Sequence, residues 1–168
     1  MSTLEHAAGL HEELVRRGAT VASAESLTGG AVADVLSTAP GASRSFLGGV
    51  VSYASEVKVK VLGVAEETVA EHGVVSRQCA VEMAHGVRRL LGSDLAVSTT
   101  GVAGPETQEG KPVGLVFLAV ASEGSTDVVE LHLDGDRAAV RRQTVEAAVA
   151  ALMAAVGAEP DRSAPGNG

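Results

Sequence analysis

The chain has 168 residues and a net charge of −8, and 45% of its residues are hydrophobic. This length predicts one domain, and the acidic balance argues against non-specific binding to nucleic acid or to an anionic membrane. Cys79 is the single cysteine, which excludes an internal disulfide and is typical of a reducing compartment.

Targeting and membrane segments are not expected. Residues 1–10 lack a basic stretch followed by an apolar run, so the sequence predicts no signal peptide. The longest apolar-rich stretch, residues 147–158, is shorter than the about 20 residues that a bilayer requires. We therefore expect a cytoplasmic protein without a membrane segment.

In the first half of the chain, helical patterns alternate with short β-prone runs. Apolar residues recur at helical spacing from Leu4 to Val15, and Arg16-Arg17-Gly18 is typical of a helix end. The other predicted elements are a strand at 20–24, a helix at 31–36, a strand at 46–53, helices at 55–62 and 64–72, and a helix from the N-cap Ser76 to Gly92.

The second half predicts a strand at 94–100, a loop at 101–111, and two strands at 113–122 and 126–133 that pair as a hairpin. Asp136 is the predicted N-cap of the last helix. Residues 157–168 are polar and rich in glycine and proline, which predicts a disordered tail. The pattern predicts an α/β fold: a three-layer α/β/α single domain over residues 1–156, with a mixed central sheet that includes this C-terminal-half hairpin.

The segment Glu25-Ser26-Leu27-Thr28-Gly29-Gly30 follows a predicted strand and opens a helix. Free N–H groups at a helix start attract anions, and glycines let a phosphate approach the backbone. A plain N-cap by Ser26 or Thr28 is the structural alternative.

A second set of candidates surrounds the predicted strand at 46–53. Serine is a weak nucleophile unless a neighbouring group removes its proton, and a lysine with a lowered pKa can do so. Ser43, Tyr53 and Lys58 are candidates for nucleophile, relay and base. A surface lysine and an edge tyrosine are the structural alternative. Ser55 and Lys58 match Ser-x-x-Lys only weakly, so Ser55 is a reserve nucleophile.

Thr100 ends a predicted strand, and Gly101 and Gly104 lie in the loop that follows it, where open α/β sheets bind ligands. Arg141 is either a solvated cation or a phosphate ligand. The five histidines lack metal-ligand spacing, and no Gly-x-Gly-x-x-Gly is present, so we expect neither a metal site nor a cofactor.

Together these segments resemble the CinA C-terminal-domain family, whose stand-alone form is a nicotinamide-mononucleotide amidase (PncC-like). The resemblance covers roughly residues 4–152, in order and at matching spacing. The segments are 24–30 (AESLTGG), 46–53 (FLGGVVSY) with Lys58, 62–64 (LGV), 72–76 (HGVVS), 100–105 (TGVAGP), 111–114 (KPVG) and 135–143 (GDRAAVRRQ).

The resemblance implies hydrolysis of nicotinamide mononucleotide to nicotinate mononucleotide and ammonia, a step of pyridine nucleotide recycling, by Ser-Lys chemistry. By position it implies Ser43 as nucleophile, Lys58 as general base and acid, and Tyr53 as relay, with backbone N–H groups near 41–43 holding the oxyanion. Ser26 also lies in a family motif and is the alternative nucleophile.

The resemblance further implies a small-molecule nucleotide substrate and a homodimer. The implied substrate-binding residues are Ser26, Thr28, Gly29, Gly30, Thr100, Gly101, Gly104 and Arg141. The loop at 106–110 is shorter and poorer in glycine than in many members, which puts substrate preference in question. An amidase for a different amide nucleotide is therefore one other hypothesis. A catalytically inactive nucleotide-binding or regulatory module is a second one.

Overall fold

The structure is a computed structural model that describes residues 1–158. Its helices and strands are α1 Thr3–Arg17, β1 Val21–Glu25, α2 Ala31–Thr38, α3 Ala42–Ser45, β2 Phe46–Val51, α4 Ser55–Leu62, α5 Glu66–His72, α6 Arg77–Leu91, β3 Leu95–Gly101, β4 Leu115–Ser122, β5 Ser125–His132 and α7 Arg137–Ala158.

Helix ends form where the sequence supplies capping groups. The hydroxyl of Ser76 accepts a hydrogen bond from the N–H of Cys79 at the start of α6, and Asp136 accepts one from Ala139 at the start of α7. Both predicted N-caps are therefore confirmed. At the other end, α7 continues through Gly157 and Ala158, beyond the buried Val156. The tail prediction is wrong for Gly157 and Ala158, and for 159–168 it lies outside the described residues.

The sheet has the strand order β2-β1-β3-β4-β5. β1 lies parallel to both β2 and β3, whereas β4 is antiparallel to β3 and β5. The sheet is therefore mixed and the predicted hairpin is confirmed. Gly49 approaches β1 so closely that a Cβ there would overlap the hydroxyl of Ser23, whereas Gly48 has a positive φ of 146°.

Helices cover both faces of the sheet, which confirms the three-layer prediction. One face packs against α1, α2 and α7, and the other against α4, α5 and α6. Both interfaces are mainly aliphatic, as expected for a chain so poor in aromatic residues. No helix within residues 1–158 combines the length and apolar character needed to cross a membrane.

The strand topology creates a crevice at the carboxyl ends of the parallel strands. Because β1, β2 and β3 are parallel, their carboxyl ends lie side by side at the same end of the sheet. β1 leads into α2 on one face, whereas β2 leads into α4 on the other. Chain segments that leave neighbouring strands toward opposite faces create the crevice in which open α/β sheets bind ligands.

Candidate active site

Lys58 is buried, with 1% of its surface exposed. It lies in the first turn of α4, and its Nζ atom makes three hydrogen bonds. Two reach backbone carbonyl oxygens, that of Ser52 at 2.6 Å and that of Tyr53 at 3.1 Å. The third joins it to the Oγ atom of Ser26 at 2.9 Å. A long flexible side chain is thus fixed at a single position.

Burial lowers the pKa of Lys58 because the ammonium form loses its hydration, while Cys79 and Glu109 act weakly in the opposite direction. A neutral amine has two N–H bonds and one lone pair. Since a carbonyl oxygen can only accept, the two carbonyls take both N–H bonds. The lone pair then points at the Ser26 hydroxyl, the geometry of a general base beside its nucleophile.

Ser26 follows the last residue of β1 and is half-buried. Its N–H donates to the carbonyl of Thr99 at 3.0 Å, which continues the pairing of β1 with β3. Its own carbonyl accepts from the N–H of Gly29 at 3.1 Å, which closes a tight turn. The hydroxyl is therefore presented from a backbone that is held on both sides.

A carboxylate of the protein itself occupies the anion position expected at the start of α2. The buried carboxylate of Glu25 accepts hydrogen bonds from the N–H groups of Val32 at 2.8 Å and Ala33 at 3.1 Å. Because these groups are the free donors of a helix N-terminus, the turn does not offer them to a phosphate. The two N–H groups of α2 are thus not available to a phosphate, and phosphate binding by the rest of the turn stays a prediction.

The structure separates Ser43 from Lys58. Ser43 is exposed on α3, before β2 begins, whereas Lys58 follows the end of β2. β2 has 6 residues, and at about 3.3 Å per residue the two ends of the strand are roughly 20 Å apart. The Ser43–Lys58 pairing is therefore wrong, and backbone N–H groups near 41–43 lie too far away to hold an oxyanion. Ser55 is exposed and has no hydrogen bond to Lys58 within the described residues.

Tyr53 contributes to the site with two different groups. Its backbone carbonyl holds Lys58, whereas its phenol is exposed and accepts a hydrogen bond from Nη2 of Arg137 at 3.1 Å. Nη1 of the same guanidinium donates to the carbonyl of Gly104 at 2.8 Å. The phenol thus contacts Arg137 rather than Lys58 in this structure, and the expected relay contact is not made.

A cleft of about 410 Å³ opens over Ser26. The loop after β3 forms one wall, and Tyr53 and Arg137 lie at its rim. Its lining residues are Ser26, Leu27, Tyr53, Gly101, Val102, Ala103, Gly104, Pro105, Glu106, Thr107, Gln108 and Arg137. Of the implied substrate-binding residues, Ser26, Gly101 and Gly104 lie in the cleft.

The other implied binding residues serve the scaffold. The buried hydroxyl of Thr28 bonds that of Thr99 at 2.8 Å, and the buried hydroxyl of Thr100 donates to the carbonyl of Val74 at 2.6 Å. Arg141 donates to the carbonyls of Leu27 and Thr28, both at 3.0 Å, so its guanidinium holds the turn. Gly29 and Gly30 adopt positive φ in that turn and, like Arg141, do not line the cleft.

Arg137 and Ser52 contribute to the candidate site, and sequence reasoning did not single them out. The segment 137–142 contains three arginines, and residue type and spacing do not distinguish the one that faces the cleft. Ser52 contributes a carbonyl, for which the side-chain sequence carries no signal. Within residues 1–158, no three or more His, Cys, Asp or Glu side chains are grouped to hold a metal ion.

A family model of the CinA C-terminal domain matches residues 3–156. The chain belongs to this family. It is 50% identical over 129 residues to a putative competence-damage inducible protein of Bacillus pumilus, covering 77% of this chain and 31% of that protein. A protein of the same name from Desulforamulus reducens is 51% identical over 136 residues, covering 81% and 33%. The chain thus spans about a third of the length of the curated relatives it matches.

Solved structures of the family share the fold. The competence damage-inducible protein A of Klebsiella pneumoniae superposes with a TM-score of 0.92 at 35% identity, over 95% of this chain and 100% of that one. A competence/damage inducible protein of Agrobacterium tumefaciens superposes with a TM-score of 0.87 at 37% identity, over 92% and 98%. The CinA-type α/β domain is therefore established for this chain.

Proposed function

We propose that this domain hydrolyses the carboxamide of nicotinamide mononucleotide, giving nicotinate mononucleotide and ammonia, with Ser26 as nucleophile and Lys58 as general base and acid. The observation that carries the proposal is the buried Lys58 amine, held by two carbonyls and 2.9 Å from the Ser26 hydroxyl. The family resemblance supports the reaction and the substrate.

In the first half of the reaction, the neutral Lys58 amine takes the proton of Ser26 as Oγ attacks the carboxamide carbon. The carbonyl π electrons move to oxygen, which gives a tetrahedral oxyanion. When the C–N bond breaks, Lys58 returns the proton to the leaving nitrogen, which departs as ammonia. The product is an ester of the nicotinoyl group with Ser26.

In the second half, water attacks the ester carbon and gives a proton to Lys58. The C–O bond to Ser26 breaks, and the proton on Lys58 moves to Oγ. The released acid ionises, and the enzyme is restored. Lys58 thus alternates between the neutral and charged forms, which requires a pKa lower than that of a solvated lysine.

The N–H group of Leu27 is our candidate oxyanion donor. It directly follows the nucleophile, and Leu27 lines the cleft. Neither Leu27 nor Thr28 donates its N–H to a protein acceptor within residues 1–158. An N–H next to the nucleophile is the donor that serine hydrolases with a strand-to-helix turn use.

Arg137 is our candidate for binding the phosphate. Its guanidinium is placed at the rim of the cleft by Gly104 and Tyr53, which occupy two of its five N–H donors. The remaining donors suit a phosphate, which arginine binds well through paired hydrogen bonds. Tyr53 therefore acts mainly by orienting Arg137 through its phenol and Lys58 through its carbonyl.

The geometry favours an enzyme over an inactive binding module, because a module that only binds needs no buried amine aimed at a hydroxyl. An amidase for a different amide nucleotide keeps specific support, since Glu106, Thr107 and Gln108 of the unusual loop line the cleft. The family resemblance also supports a cytoplasmic homodimer, which sedimentation tests as a mass of twice the 16.9 kDa chain.

The experiment that tests the function is ammonia release from nicotinamide mononucleotide by the purified protein, compared with nicotinamide, its riboside and the dinucleotide. We expect turnover with the mononucleotide and little with nicotinamide. Turnover of another amide in its place would reassign the substrate while keeping the chemistry. Binding of the mononucleotide without ammonia release would instead establish a binding module.

A further inference from the structure

The wall of the cleft ends in a strained turn. Gln108 and Lys111 pair through two backbone hydrogen bonds, and Glu109 and Gly110 between them both have positive φ, at 55° and 71°. A two-residue turn of this kind favours asparagine followed by glycine. Among residues 1–158, Glu109 is the one non-glycine residue with positive φ. A strained glutamate where asparagine fits better calls for a reason other than turn formation.

The Glu109 side chain supplies that reason. Its two carboxylate oxygens accept hydrogen bonds from the N–H groups of Val74 and Val75, both at 2.9 Å. These N–H groups belong to the segment 73–76 that leads into α6. A Cβ at Gly73 would overlap the carboxylate, so a glycine is required there for Glu109 to reach its donors.

Lys111 completes the attachment from the other side of the turn. Its Nζ atom donates to the carbonyls of His72 and Val75 and lies 3.6 Å from the Glu109 carboxylate. The two side chains are each about 30% exposed, so solvent only partly screens them. The carboxylate therefore binds N–H groups and the ammonium binds carbonyls of a single backbone segment.

This attachment connects two parts of the site. The residues just before Glu109, from Gly104 to Gln108, line the cleft. The segment 73–76, which binds the Glu109 carboxylate, also contacts the end of β3. There the carbonyl of Val74 accepts a hydrogen bond from the hydroxyl of Thr100. The wall of the cleft and the end of β3 are thus both held by hydrogen bonds to the segment 73–76.

We propose that Glu109 is a positioning residue that fixes the 104–108 wall of the cleft by gripping the backbone of Val74 and Val75, and that it governs substrate affinity more than the chemical step. The consequence for affinity rests on the proposed amidase function. Glu109 does not line the cleft, so it acts through the loop and not through contact with substrate.

The test compares Glu109→Asn and Glu109→Gln with the wild type. Asparagine relieves the turn but is too short to reach Val74 and Val75, whereas glutamine keeps the reach and has a single acceptor oxygen. We expect Glu109→Asn to speed amide hydrogen exchange at 74–75 and 106–108 by about tenfold. Because the Glu109 charge raises the pKa of Lys58, the variants are compared at a pH on the upper plateau of the rate profile, where Lys58 is neutral in each of them. There KM for the mononucleotide should rise about tenfold with kcat changed less than about twofold, and Glu109→Gln should lie between.

Glu123→Asn is the matched control, because it makes the same charge change in a glutamate-glycine turn at the opposite edge of the sheet. It should leave amide hydrogen exchange at 106–108 and KM unchanged. If Glu109 served only to form the turn, the Glu109→Asn variant would show the same amide hydrogen exchange and the same KM as the wild type. That result would overturn the proposal. Hydrogen exchange needs no turnover, so an inactive wild type would refute the amidase while exchange still decides whether Glu109 holds the wall.

Discussion

Ser26 and Lys58 are 32 residues apart in sequence, and their Oγ and Nζ atoms are 2.9 Å apart. The contact forms because Ser26 follows β1 and Lys58 lies in the helix that follows β2, and these neighbouring parallel strands end at one edge of the sheet. The carbonyls of Ser52 and Tyr53, just beyond β2, then fix the amine. The strand pairing thus positions a base beside a hydroxyl.

Removing either member of this pair should abolish ammonia release. We expect Ser26→Ala and Lys58→Met to lower kcat by about 10³-fold or more, because nucleophile and base act as a unit. Methionine keeps much of the buried volume of Lys58 but leaves two carbonyls without a donor. The unfolding free energy should therefore be measured by urea denaturation, with an expected loss of about 1–3 kcal/mol.

Ser43→Ala is the matched control for Ser26→Ala, because Ser43 is exposed at the far end of β2. It should keep wild-type kcat and KM. Loss of activity in Ser43→Ala, together with full activity in Ser26→Ala, would contradict the assignment of Ser26 as nucleophile.

Much of the fold could be predicted from sequence because its signals are local. Helical spacing, the N-caps Ser76 and Asp136, and the hairpin turn located most elements to within a few residues. The site was harder, because the contact between Lys58 and a serine depends on which strands pair. The useful signal was position relative to a strand, since Ser26 follows one strand and Ser43 precedes another. Because the carboxyl ends of parallel strands lie together, only Ser26 can contact Lys58, which also follows the end of a strand.

The roles of individual arginines and threonines could not be predicted from the motifs in which they occur. Thr28, Thr100 and Arg141 lie in family segments, yet their polar groups bond the protein itself. Whether such a group faces the cleft or the scaffold depends on side-chain direction and on which backbone carbonyls lie nearby. Neither property is encoded in residue type or spacing.

The pH dependence of turnover should report the lowered pKa of Lys58. Burial favours the neutral amine, so kcat/KM should rise with pH and its midpoint should lie below the ordinary lysine value of 10.5. Between the lowered pKa and 10.5 the unfolded state binds more protons than the folded state. Stability relative to Lys58→Met should therefore increase with pH through that window and stay constant at its lower value once pH is below the lowered pKa. A pH profile without this rise would contradict a lysine base.

Arg137→Met should weaken binding of the mononucleotide. Loss of a charge-assisted contact to phosphate is expected to raise KM about 10–100-fold, with a smaller effect on kcat. The riboside, which lacks the phosphate, should show a change of less than about threefold. Equal effects on both substrates would show that Arg137 shapes the cleft and does not bind the phosphate. Tyr53→Phe, which removes one partner of the guanidinium, should give a smaller rise.

Cys79 should be inert toward thiol reagents in the folded protein. Its side chain is fully buried, and burial raises the pKa of the thiol to about 11. At pH 7.5 a disulfide reagent such as Ellman's reagent should modify it only after the protein is denatured. Rapid reaction of the native protein, at a rate near that of a free thiol, would show that the interface between α6 and the sheet opens readily.

Two helical glycines should respond in opposite ways to alanine, and one of them bears on the site. In α1, a Cβ at Gly9 would meet only Met153 Cε, at 4.0 Å, so Gly9→Ala should stabilise the protein by about 0.5–1 kcal/mol through helix propensity.

In α6, a Cβ at Gly86 would overlap the carbonyl oxygen of Leu62, the last residue of α4. Gly86→Ala should therefore cost about 1–3 kcal/mol in urea denaturation despite the same propensity gain. Because α4 carries Lys58, Gly86→Ala should also lower kcat, whereas Gly9→Ala should not. Equal stability changes in the two variants would mean that α4 does not pack on Gly86.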